Sequence, residues 1–272
     1  MGARALTDKA AAIWPLYCAI LCHRAAMPTT PRSLPRRIVR LVALLAIAWL
    51  AVSWWVVLVL RFVPPWTSAF MMERRVEALF TGEKDFTLRH RWVPWDEISP
   101  QVGLAMVAGE DQKFPHHHGF DVDAIQDAID AADEGKRLRG ASTISQQTAK
   151  NLFLWNGRSF IRKGLEAYFT VLIEATWPKQ RILEVYVNTV EYGDGVYGVG
   201  AASDAFYRTA PSRLSVAQAA RLAAVLPNPR RFRVDAPSAY VMRRTAWISQ
   251  QMGQLGGPAY LTRPAPVSGR VR

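Results

Sequence analysis

Cysteine is the rarest residue of this sequence: Cys18 and Cys22 are the only two among 272 residues, and both lie near the N-terminus. No cysteine occurs from Arg61 onward, so no disulfide framework holds that part of the chain together. The two cysteines have no second pair and only His23 close by, so their spacing resembles no complete metal site. The scarcity of cysteine therefore excludes a disulfide-rich scaffold and argues against structural zinc.

Acidic residues are also few, 22 against 34 basic residues, which gives a formal net charge of +12. Residues 1–40 hold seven basic residues and one acidic residue, and so carry half of that net charge. A nucleic-acid-binding protein more often spreads basic clusters over its folded part, whereas a basic cluster beside an apolar run is typical of membrane topology. Because half of the residues are apolar, the chain is neither disordered nor a mini-protein.

Residues 41–60, LVALLAIAWLAVSWWVVLVL, carry no charge. At 1.5 Å per residue, such a run covers about the 30 Å thickness of the hydrocarbon core. We expect a retained transmembrane helix over residues 38–63, because a buried core helix is rarely so uniformly apolar and the apolar part of a signal peptide is shorter. Three basic residues precede the run and Arg61 alone follows, which predicts a cytoplasmic N-terminus. Aromatic anchors are supplied by Trp49, Trp54, Trp55 and Trp66.

The segments on either side of the apolar run differ in composition. Residues 1–35 lack periodicity and contain Pro28, Pro31 and Pro35, which predicts a disordered cytoplasmic tail whose translation starts at Met1 or Met27. Residues 66–250 form the predicted extracytoplasmic domain. Residues 251–272, rich in glycine, proline and arginine, are expected to be a loose tail.

The predicted domain is mainly α-helical, since helical periodicity recurs with caps and alternating strand patterns are scarce. We expect helices to start at Ser99–Pro100, at Asp123 and at Ser159. Capping-box spacing predicts two more starts, Thr143 with Gln146 and Ser215 with Gln218. We also expect helices to end at Glu110, at Gly135 and before Pro227. A further helix is expected over residues 181–189.

Two groups of carboxylates stand out against this helical pattern. Glu110 and Asp111 end an apolar helix, where the helix dipole disfavours negative charge. Glu166 lies one turn after Arg162 and Lys163 on the same helix face, where cations hold a carboxylate in its charged form. Enzymes that act at a sugar anomeric carbon usually use two carboxylates in different surroundings. The alternative is a helix-end charge and an ordinary surface ion pair.

Four ordered motifs resemble the signatures of the family 51 peptidoglycan glycosyltransferases, and specifically of the monofunctional biosynthetic transglycosylases. The first is Glu110-Asp111-x-x-Phe114-x-x-His117-x-Gly119, and the second is Gly140-Ala141-Ser142-Thr143-Ile144-Ser145-Gln146-Gln147-Thr148-Ala149-Lys150-Asn151. The third is Arg162-Lys163-x-x-Glu166, and the fourth is Lys179-x-x-Ile182-Leu183-Glu184-x-Tyr186-Val187-Asn188. The resemblance covers about residues 75–235 and includes a fifth signature, in which Gln218 replaces the usual glutamate.

The resemblance implies a lysozyme-like, mainly helical fold and the polymerisation of lipid II into β-1,4-linked glycan, with inversion and release of undecaprenyl pyrophosphate. It implies that Glu110 is the general base toward the acceptor 4-hydroxyl. Lys150, Arg162 and Lys163 would neutralise the pyrophosphate, and Glu166 would orient these cations or assist the leaving group. Bifunctional relatives carry a transpeptidase, whose Ser-x-x-Lys motif is absent from this sequence.

The same resemblance places further residues at the substrate: Asp111, Phe114, His117, Ser142, Thr143, Gln146, Gln147 and Asn151. For Thr143, helix capping alone is an equal alternative. His116, His117 and His118 are adjacent and do not easily converge on one ion, so we expect His117 to hydrogen-bond within the cleft. The resemblance allows a divalent cation, Mg or Mn, on the substrate pyrophosphate, but the sequence shows no cage for it and indicates no organic cofactor.

Location and partners follow from the anchor and the resemblance. We expect a single-pass protein of the cell inner membrane with a periplasmic catalytic domain that acts in cell wall biogenesis. Its partners would be lipid II, the lipid-linked glycan and the bilayer, with other cell-wall or division proteins allowed and no nucleic acid. Apolar residues interleaved with Arg158, Arg162 and Lys163 could enter the headgroup region: Leu152, Phe153, Leu154, Trp155 and Phe160. For Leu152 and Phe153, simple core packing is an equal alternative.

Two other functions compete with the glycosyltransferase. A hydrolase or lytic transglycosylase on a lysozyme-like fold also needs a glutamate, but it does not need cations for a pyrophosphate. Lys150, Arg162 and Lys163 therefore favour synthesis. A non-catalytic glycan-binding scaffold has no need of Glu110 and Glu166, so these glutamates favour an enzyme.

Overall fold

The structure is a computed structural model that describes residues 34–133 and 142–262. The chain divides into two compact units, Met1–Ser53 and Trp54–Arg272. Several sequence predictions fall outside the described residues. They concern the tail up to residue 33, Cys18 and Cys22, the helix end at Gly135, and Gly140 and Ala141 of the second motif.

The first described helix, α1 (Leu34–Leu60), contains the predicted apolar run. Within the two described ranges, Arg36–Leu60 is the one helix long and apolar enough to cross a membrane, judged by length and composition. Most of its large apolar side chains from Ile38 to Trp55 are exposed, which suits a helix whose solvent is lipid. The prediction of an apolar helix at this position is confirmed.

The second unit is built mainly from helices. They are α2 (Ala69–Thr81), α3 (Pro100–Glu110), α4 (Val122–Asp133), α5 (Ile144–Phe153), α6 (Phe160–Thr176), α7 (Lys179–Thr189), α8 (Gly198–Ala202), α9 (Val216–Val225) and α10 (Ala239–Gln254). Short 3₁₀ helices cover Trp95–Glu97, Pro211–Arg213 and Pro258–Thr262. A short π-helix, Ser203–Tyr207, follows α8 directly. The predicted mainly helical fold is confirmed.

One small sheet interrupts the helices. Its strands are β1 (Arg89–His90), β2 (Glu191–Gly193) and β3 (Val196–Tyr197), in the order β1–β3–β2. Strand β3 runs parallel to β1 and antiparallel to β2. Gly198 follows β3 at φ +79°, and a Cβ there would lie 2.5 Å from the carbonyl oxygen of Asn188. Glycine is required at this position because both the backbone angle and the close approach exclude a side chain.

The helix starts show which local predictions hold. Thr143 and Ser215 form complete capping boxes with Gln146 and Gln218, as their spacing predicts. Ser159 also caps its helix, through the amide of Arg162. The prediction that Asp123 is a cap is wrong. Helix α4 begins one residue earlier, and the side chain of Asp121 accepts the hydrogen bond from the amide of Ala124 (3.1 Å).

Helix α3 lies at the centre of the second unit, and every residue from Val102 to Ala108 is buried. Helices α7, α9 and α10 pack on it, while α5 packs against both α6 and α7. The end of α3 is thereby next to the start of α5 and to the middle of α10, as hydrogen bonds from Ile144 and Arg244 show. The first two carboxylates of the motifs therefore lie where three helices meet.

The C-terminal segment is more ordered than its composition predicts. The sequence indicates a loose tail from residue 251, but α10 continues to Gln254 and the turn Pro258–Thr262 packs on α3. The Tyr260 hydroxyl donates to the backbone oxygen of Gln112 (2.7 Å), and Leu261 contacts the core. The expectation is wrong for residues 251–262, because tertiary contacts order a segment that lacks local periodicity. Residues 263–272 lie outside the described range.

Candidate active site

Glu110 is the last residue of α3 and lies beside a cleft of about 830 Å³. Its side chain is 15% exposed, so the carboxylate is largely buried but open on one side. The cleft is lined by Gly109, Glu110, Ser142, Gln147, Pro227, Tyr240, Arg243, Arg244 and Trp247. Of the predicted binding residues, Ser142 and Gln147 therefore share a cleft with the predicted base.

Each carboxylate oxygen of Glu110 has one protein partner. The side-chain amide of Gln147 donates to Oε2 (3.1 Å), and the Arg244 guanidinium donates to Oε1 (3.2 Å). Burial raises the pKa of the Glu110 carboxyl, while Gln147, Arg244 and the charge of Lys150 oppose that rise. This carboxyl can therefore exchange a proton more readily than an exposed glutamate, as a general base must.

Gln147 is itself held in place from the protein side. The buried hydroxyl of Tyr186 donates to its Oε1 (3.0 Å), which leaves the amide nitrogen directed at Glu110. Burial raises the pKa of Tyr186 well above its ordinary value, so the phenol stays protonated and remains a donor. The sequence predicts Gln147 as a binding residue, whereas the structure shows that it also orients Glu110.

Asp111 is buried and joins two segments of the chain. Its Oδ2 accepts the amide hydrogen of Ile144 at the start of α5 (2.9 Å), and both of its oxygens contact Nε2 of His117 (2.9 and 3.0 Å). The Gly119 amide donates to Nδ1 of His117 (3.1 Å), so Nε2 carries the hydrogen that is donated to Asp111. His117 therefore forms a hydrogen bond, but its partner is the buried Asp111 and not a group in the cleft.

Other residues that the resemblance places at the substrate are also enclosed by protein. The Thr143 hydroxyl donates to the Gly119 carbonyl (2.6 Å), and Gln146 completes the capping box. Phe114 is buried under the Lys179 ammonium, which lies 4.6 Å from its ring centre. Asn151 is buried as well. In this conformation these side chains build the walls of the site and do not line its clefts.

Glu166 lies in a second arrangement, on α6. It accepts hydrogen bonds from Arg162 Nη1 (2.9 Å) and Lys163 Nζ (2.5 Å), as the spacing of the third motif predicts. The Glu166 side chain is only 4% exposed, whereas that of Lys163 is half exposed. The cations therefore lie between the carboxylate and solvent, and a bound anion would meet the cations.

Lys150 lies within electrostatic range of both carboxylates. Burial lowers the pKa of its ammonium group, and the charges of Glu166 and Glu110 act against that shift. It borders a second cleft of about 530 Å³, lined by Glu73, Lys150, Asn156, Gly157, Arg158 and Arg162. The structure therefore brings Lys150, Arg158 and Arg162 to one polar cleft, together with the carboxylate of Glu73. Of the three predicted cations, Lys163 is not among the residues that line this cleft.

The segment between α5 and α6 separates into core and surface residues. Leu152 is buried and Phe153 stacks on Phe169 with ring centres 4.4 Å apart, so the core-packing alternative is correct for these two. Leu154 is also buried, so the expectation that it enters the headgroup region is wrong. Phe160 is 98% exposed, and Trp155 is half exposed. These two, next to Arg158, leave an apolar and basic edge on the surface.

No group of three or more metal-ligating side chains is found in residues 34–133 and 142–262. His116 packs edge-on against Tyr260, with ring centres 5.6 Å apart, whereas His117 binds Asp111. These two histidines of the triplet therefore face different partners. The described residues offer no cage for a protein-held cation.

Two contributors to the site were missed by sequence reasoning. Arg244 lies on α10, beyond the recognised motifs and 134 residues after Glu110. Tyr186 belongs to the fourth motif, but its spacing gives no hint that it contacts Gln147, 39 residues away. The only available signal was the basic pair Arg243–Arg244 in an otherwise amphipathic helix, and such pairs are usually solvent-exposed.

Comparisons with known proteins identify the family. The family model described as Transglycosylase matches residues 78–253. A protein of Xanthomonas campestris pv. campestris (strain B100) is 55% identical over 229 residues, which is 84% of this chain and 93% of the relative. A protein of Pseudomonas syringae pv. tomato is 58% identical over 217 residues, 79% of this chain and 92% of the relative.

A third relative, from Chromohalobacter salexigens, is 53% identical over 228 residues, 84% of this chain and 97% of the relative. All three relatives carry the name biosynthetic peptidoglycan transglycosylase. The matched range includes Glu110, Glu166 and the residues that surround them. The family resemblance derived from the motifs is therefore confirmed, and the chain belongs to the transglycosylase family.

Proposed function

We propose that this protein is a membrane-anchored peptidoglycan glycosyltransferase that polymerises lipid II into β-1,4-linked glycan strands and releases undecaprenyl pyrophosphate. The observation that carries the proposal is the placement of Glu110. It is a largely buried carboxylate with one open side on a cleft, close to a second cleft lined with cations. Family membership and the names of the relatives support the same activity.

In this proposal Glu110 is the general base. Its carboxylate takes the proton of the acceptor sugar 4-hydroxyl, and the oxygen attacks the anomeric carbon of the lipid-linked donor. The bond from that carbon to the pyrophosphate oxygen breaks on the opposite face, the electron pair leaves with the pyrophosphate, and the configuration inverts. Gln147 and Arg244 each hold one carboxylate oxygen, which limits the rotation of the base before proton transfer.

The leaving group needs positive charge more than it needs a proton. Lys150 and Arg162 line the polar cleft, and the half-exposed Lys163 shares the Glu166 carboxylate with Arg162. Charge-assisted hydrogen bonds from these cations would stabilise the departing pyrophosphate. Glu166 faces the cations from the protein side and orients them. Ser142 is exposed at the Glu110 cleft and supplies a hydroxyl for sugar oxygens.

Several predicted binding residues support the site indirectly in this proposal. Asp111, His117, Thr143 and Gln146 fix the start of α5 against the end of α3, while Phe114 and Asn151 fill the wall behind it. A divalent cation, Mg or Mn, would be held mainly by the pyrophosphate oxygens, because the described residues provide no ligand cage. Polymerisation measured with and without a chelator tests this point.

The proposed topology places residues 1–35 in the cytoplasm, the anchor at 38–63 in the inner membrane and the catalytic domain in the periplasm. The basic N-terminal cluster supports this orientation. The catalytic domain runs from residue 66 to about Thr262, since the last turn packs on α3. The exposed edge at Trp155 and Phe160 would meet the headgroup region, where the lipid-linked substrate lies. Other cell-wall or division proteins are further proposed partners.

The decisive experiment is a lipid II polymerisation assay of the full chain in detergent. We expect the parent protein to make glycan and Glu110→Gln to lose about 10³-fold or more in rate while retaining its circular dichroism spectrum. Glu97→Gln, a change at an exposed glutamate, is the matched control and should keep the parent rate. Polymerisation by Glu110→Gln at the parent rate would disprove the base assignment. Shortening of preformed glycan without a lipid substrate would instead show a hydrolase.

A further inference from the structure

Arg244 is the one residue of α10 within hydrogen-bonding distance of Glu110 among the described contacts. A single nitrogen, Nη2, donates both to Glu110 Oε1 and to the backbone oxygen of Gly109, each at 3.2 Å. The Arg244 side chain is 23% exposed and lines the cleft onto which Glu110 opens. Arg244 therefore ties the carboxylate to the last turn of the helix that carries it.

The packing of α10 does not depend on this contact. The helix is anchored by its buried residues Val241, Thr245, Ile248 and Met252. Ile248 packs on the backbone of α3, where a Cβ at Gly109 would lie 3.2 Å from its Cδ1 atom. Arg244 lies one turn before Ile248 and points to the cleft, where its Nε is buried without a partner in the described part of the chain. A guanidinium held with an unsatisfied donor beside a carboxylate points to a functional reason for its position.

The charged and polar groups around Glu110 come from several elements. Asp111 follows it at the end of α3, where its carboxylate binds the Ile144 amide and the His117 ring, and Arg243 of α10 lines the same cleft. Helix α5 contributes Lys150 and the neutral amide of Gln147, and α7 contributes Tyr186, which stays protonated. Helix α10 contributes Arg244, the only cation in contact with the carboxylate among the described residues. Burial raises the pKa of Glu110, and Arg244 opposes this rise by its charge and by its hydrogen bond.

We propose that Arg244 is a positioning residue of the glycosyl transfer, which holds Glu110 ionised and directed into the cleft at neutral pH. The proposal rests on the proposed role of Glu110 as the base. Without Arg244, the buried carboxylate would hold its proton to higher pH and would lose one of its two fixed contacts. The base would then be correctly charged in a smaller fraction of the molecules.

The test compares Arg244→Gln, Arg244→Lys and the control Arg231→Gln. The rate constant kcat/KM for lipid II polymerisation by the full chain is measured from acidic to alkaline pH. We expect Arg244→Gln to move the acidic limb of the profile up by about one pH unit, which lowers kcat/KM about tenfold at pH values below the limb and leaves it near the parent value above the limb. Arg231→Gln removes the same charge at an exposed position outside the Glu110 cleft and should leave this limb in place.

Arg244→Lys keeps the charge but has a shorter side chain and a compact ammonium group in place of the planar guanidinium. We therefore expect the acidic limb of its pH profile to rise by only a few tenths of a pH unit. If Arg244→Gln fails to fold, as judged by circular dichroism, this lysine variant decides the matter. An unmoved acidic limb in the folded variants, with the rate lowered equally at all pH values, would overturn the inference. A parent protein that makes no glycan would overturn the proposed function itself, so the two failures are distinguishable.

Discussion

Glu110 and Glu166 are both buried carboxylates on helices of the same domain, but they are held by different kinds of partner. Glu110 contacts one neutral amide and one guanidinium, which come from α5 and α10, and it keeps an open side on a cleft. Glu166 contacts two cations that lie three and four residues before it on its own helix. Glu110 thus depends on the packing of distant helices, whereas Glu166 depends on local spacing.

The difference explains how two glutamates divide the proposed chemistry. A carboxylate that is partly desolvated and weakly compensated can take up a proton, which suits Glu110. A carboxylate enclosed by two cations has little access to substrate, and its effect is to fix the cations, which suits Glu166. Lys150 lies within electrostatic range of both and so connects the two arrangements.

The largest expected effect comes from exchanging each glutamate for glutamine and comparing kcat and KM. Glu110→Gln should lower kcat by about 10³-fold or more, because the proton acceptor is removed. Glu166→Gln should lower kcat by less than about 100-fold and raise KM for lipid II, because Arg162 and Lys163 remain charged but lose their shared partner. Equal losses of kcat in both variants would show that Glu166 also touches the reacting atoms.

The next effect concerns the cation between the two carboxylates. Burial lowers the pKa of Lys150, so its amine loses charge as the pH rises through that lowered value, and activity should fall on the alkaline side. Lys150→Met should cost about 10²-fold at neutral pH, whereas Lys150→Arg should remain charged and extend activity to higher pH. Lys84→Met, at an exposed lysine, is the control. An alkaline limb that is unchanged in Lys150→Arg would contradict this assignment.

A smaller effect is expected from the buried hydrogen bonds of Asp111, next to Glu110. Asp111→Ala leaves the Ile144 amide and the His117 ring without their acceptor, so the free energy of unfolding should fall by about 3 kcal/mol. Chemical unfolding followed by circular dichroism measures the change. Asp127→Ala, at an exposed position of α4, should stay within about 0.5 kcal/mol of the parent. Equal stability of the two variants would mean that the Asp111 network does not hold the helices together.

The smallest effect concerns the orientation of Gln147. Tyr186→Phe removes the hydroxyl that holds the amide oxygen, and the loss of one hydrogen bond of about 1 kcal/mol should lower kcat/KM about fivefold. Tyr192→Phe is a matched control, because Tyr192 is equally buried but donates only to the Val187 carbonyl. A full rate in Tyr186→Phe would show that Gln147 is held without this hydroxyl.

The local features of the fold follow closely from sequence. The capping boxes at Thr143 and Ser215 are present because both partners lie within one turn, so spacing alone brings them together. The Glu166 ion pairs are present for the same reason. The misplaced cap at Asp123 shows the limit of this reasoning, since two nearby aspartates compete for one helix start and Asp121 has the better geometry.

Of the residues predicted for the site, Ser142 and Gln147 lie at the Glu110 cleft, whereas others contact the protein. Asp111 and Thr143 belong to the motifs, yet Asp111 binds the Ile144 amide across 33 residues and Thr143 binds the Gly119 carbonyl across 24. Arg244 belongs to no motif and reaches Glu110 across 134 residues. Neither type of contact leaves a periodic signal in the chain.

Sequence alone determined the apolar helix, the helical class, the family and the residue types of both carboxylate groups, because each depends on composition or on spacing within a few turns. Tertiary structure decided which side chains face a cleft, which are enclosed, and which cation compensates Glu110. It also decided that the cysteine-free, glycine-rich end of the chain is packed as far as Thr262. The physical reason is that burial and electrostatic compensation are set by the packing of helices that lie far apart in sequence.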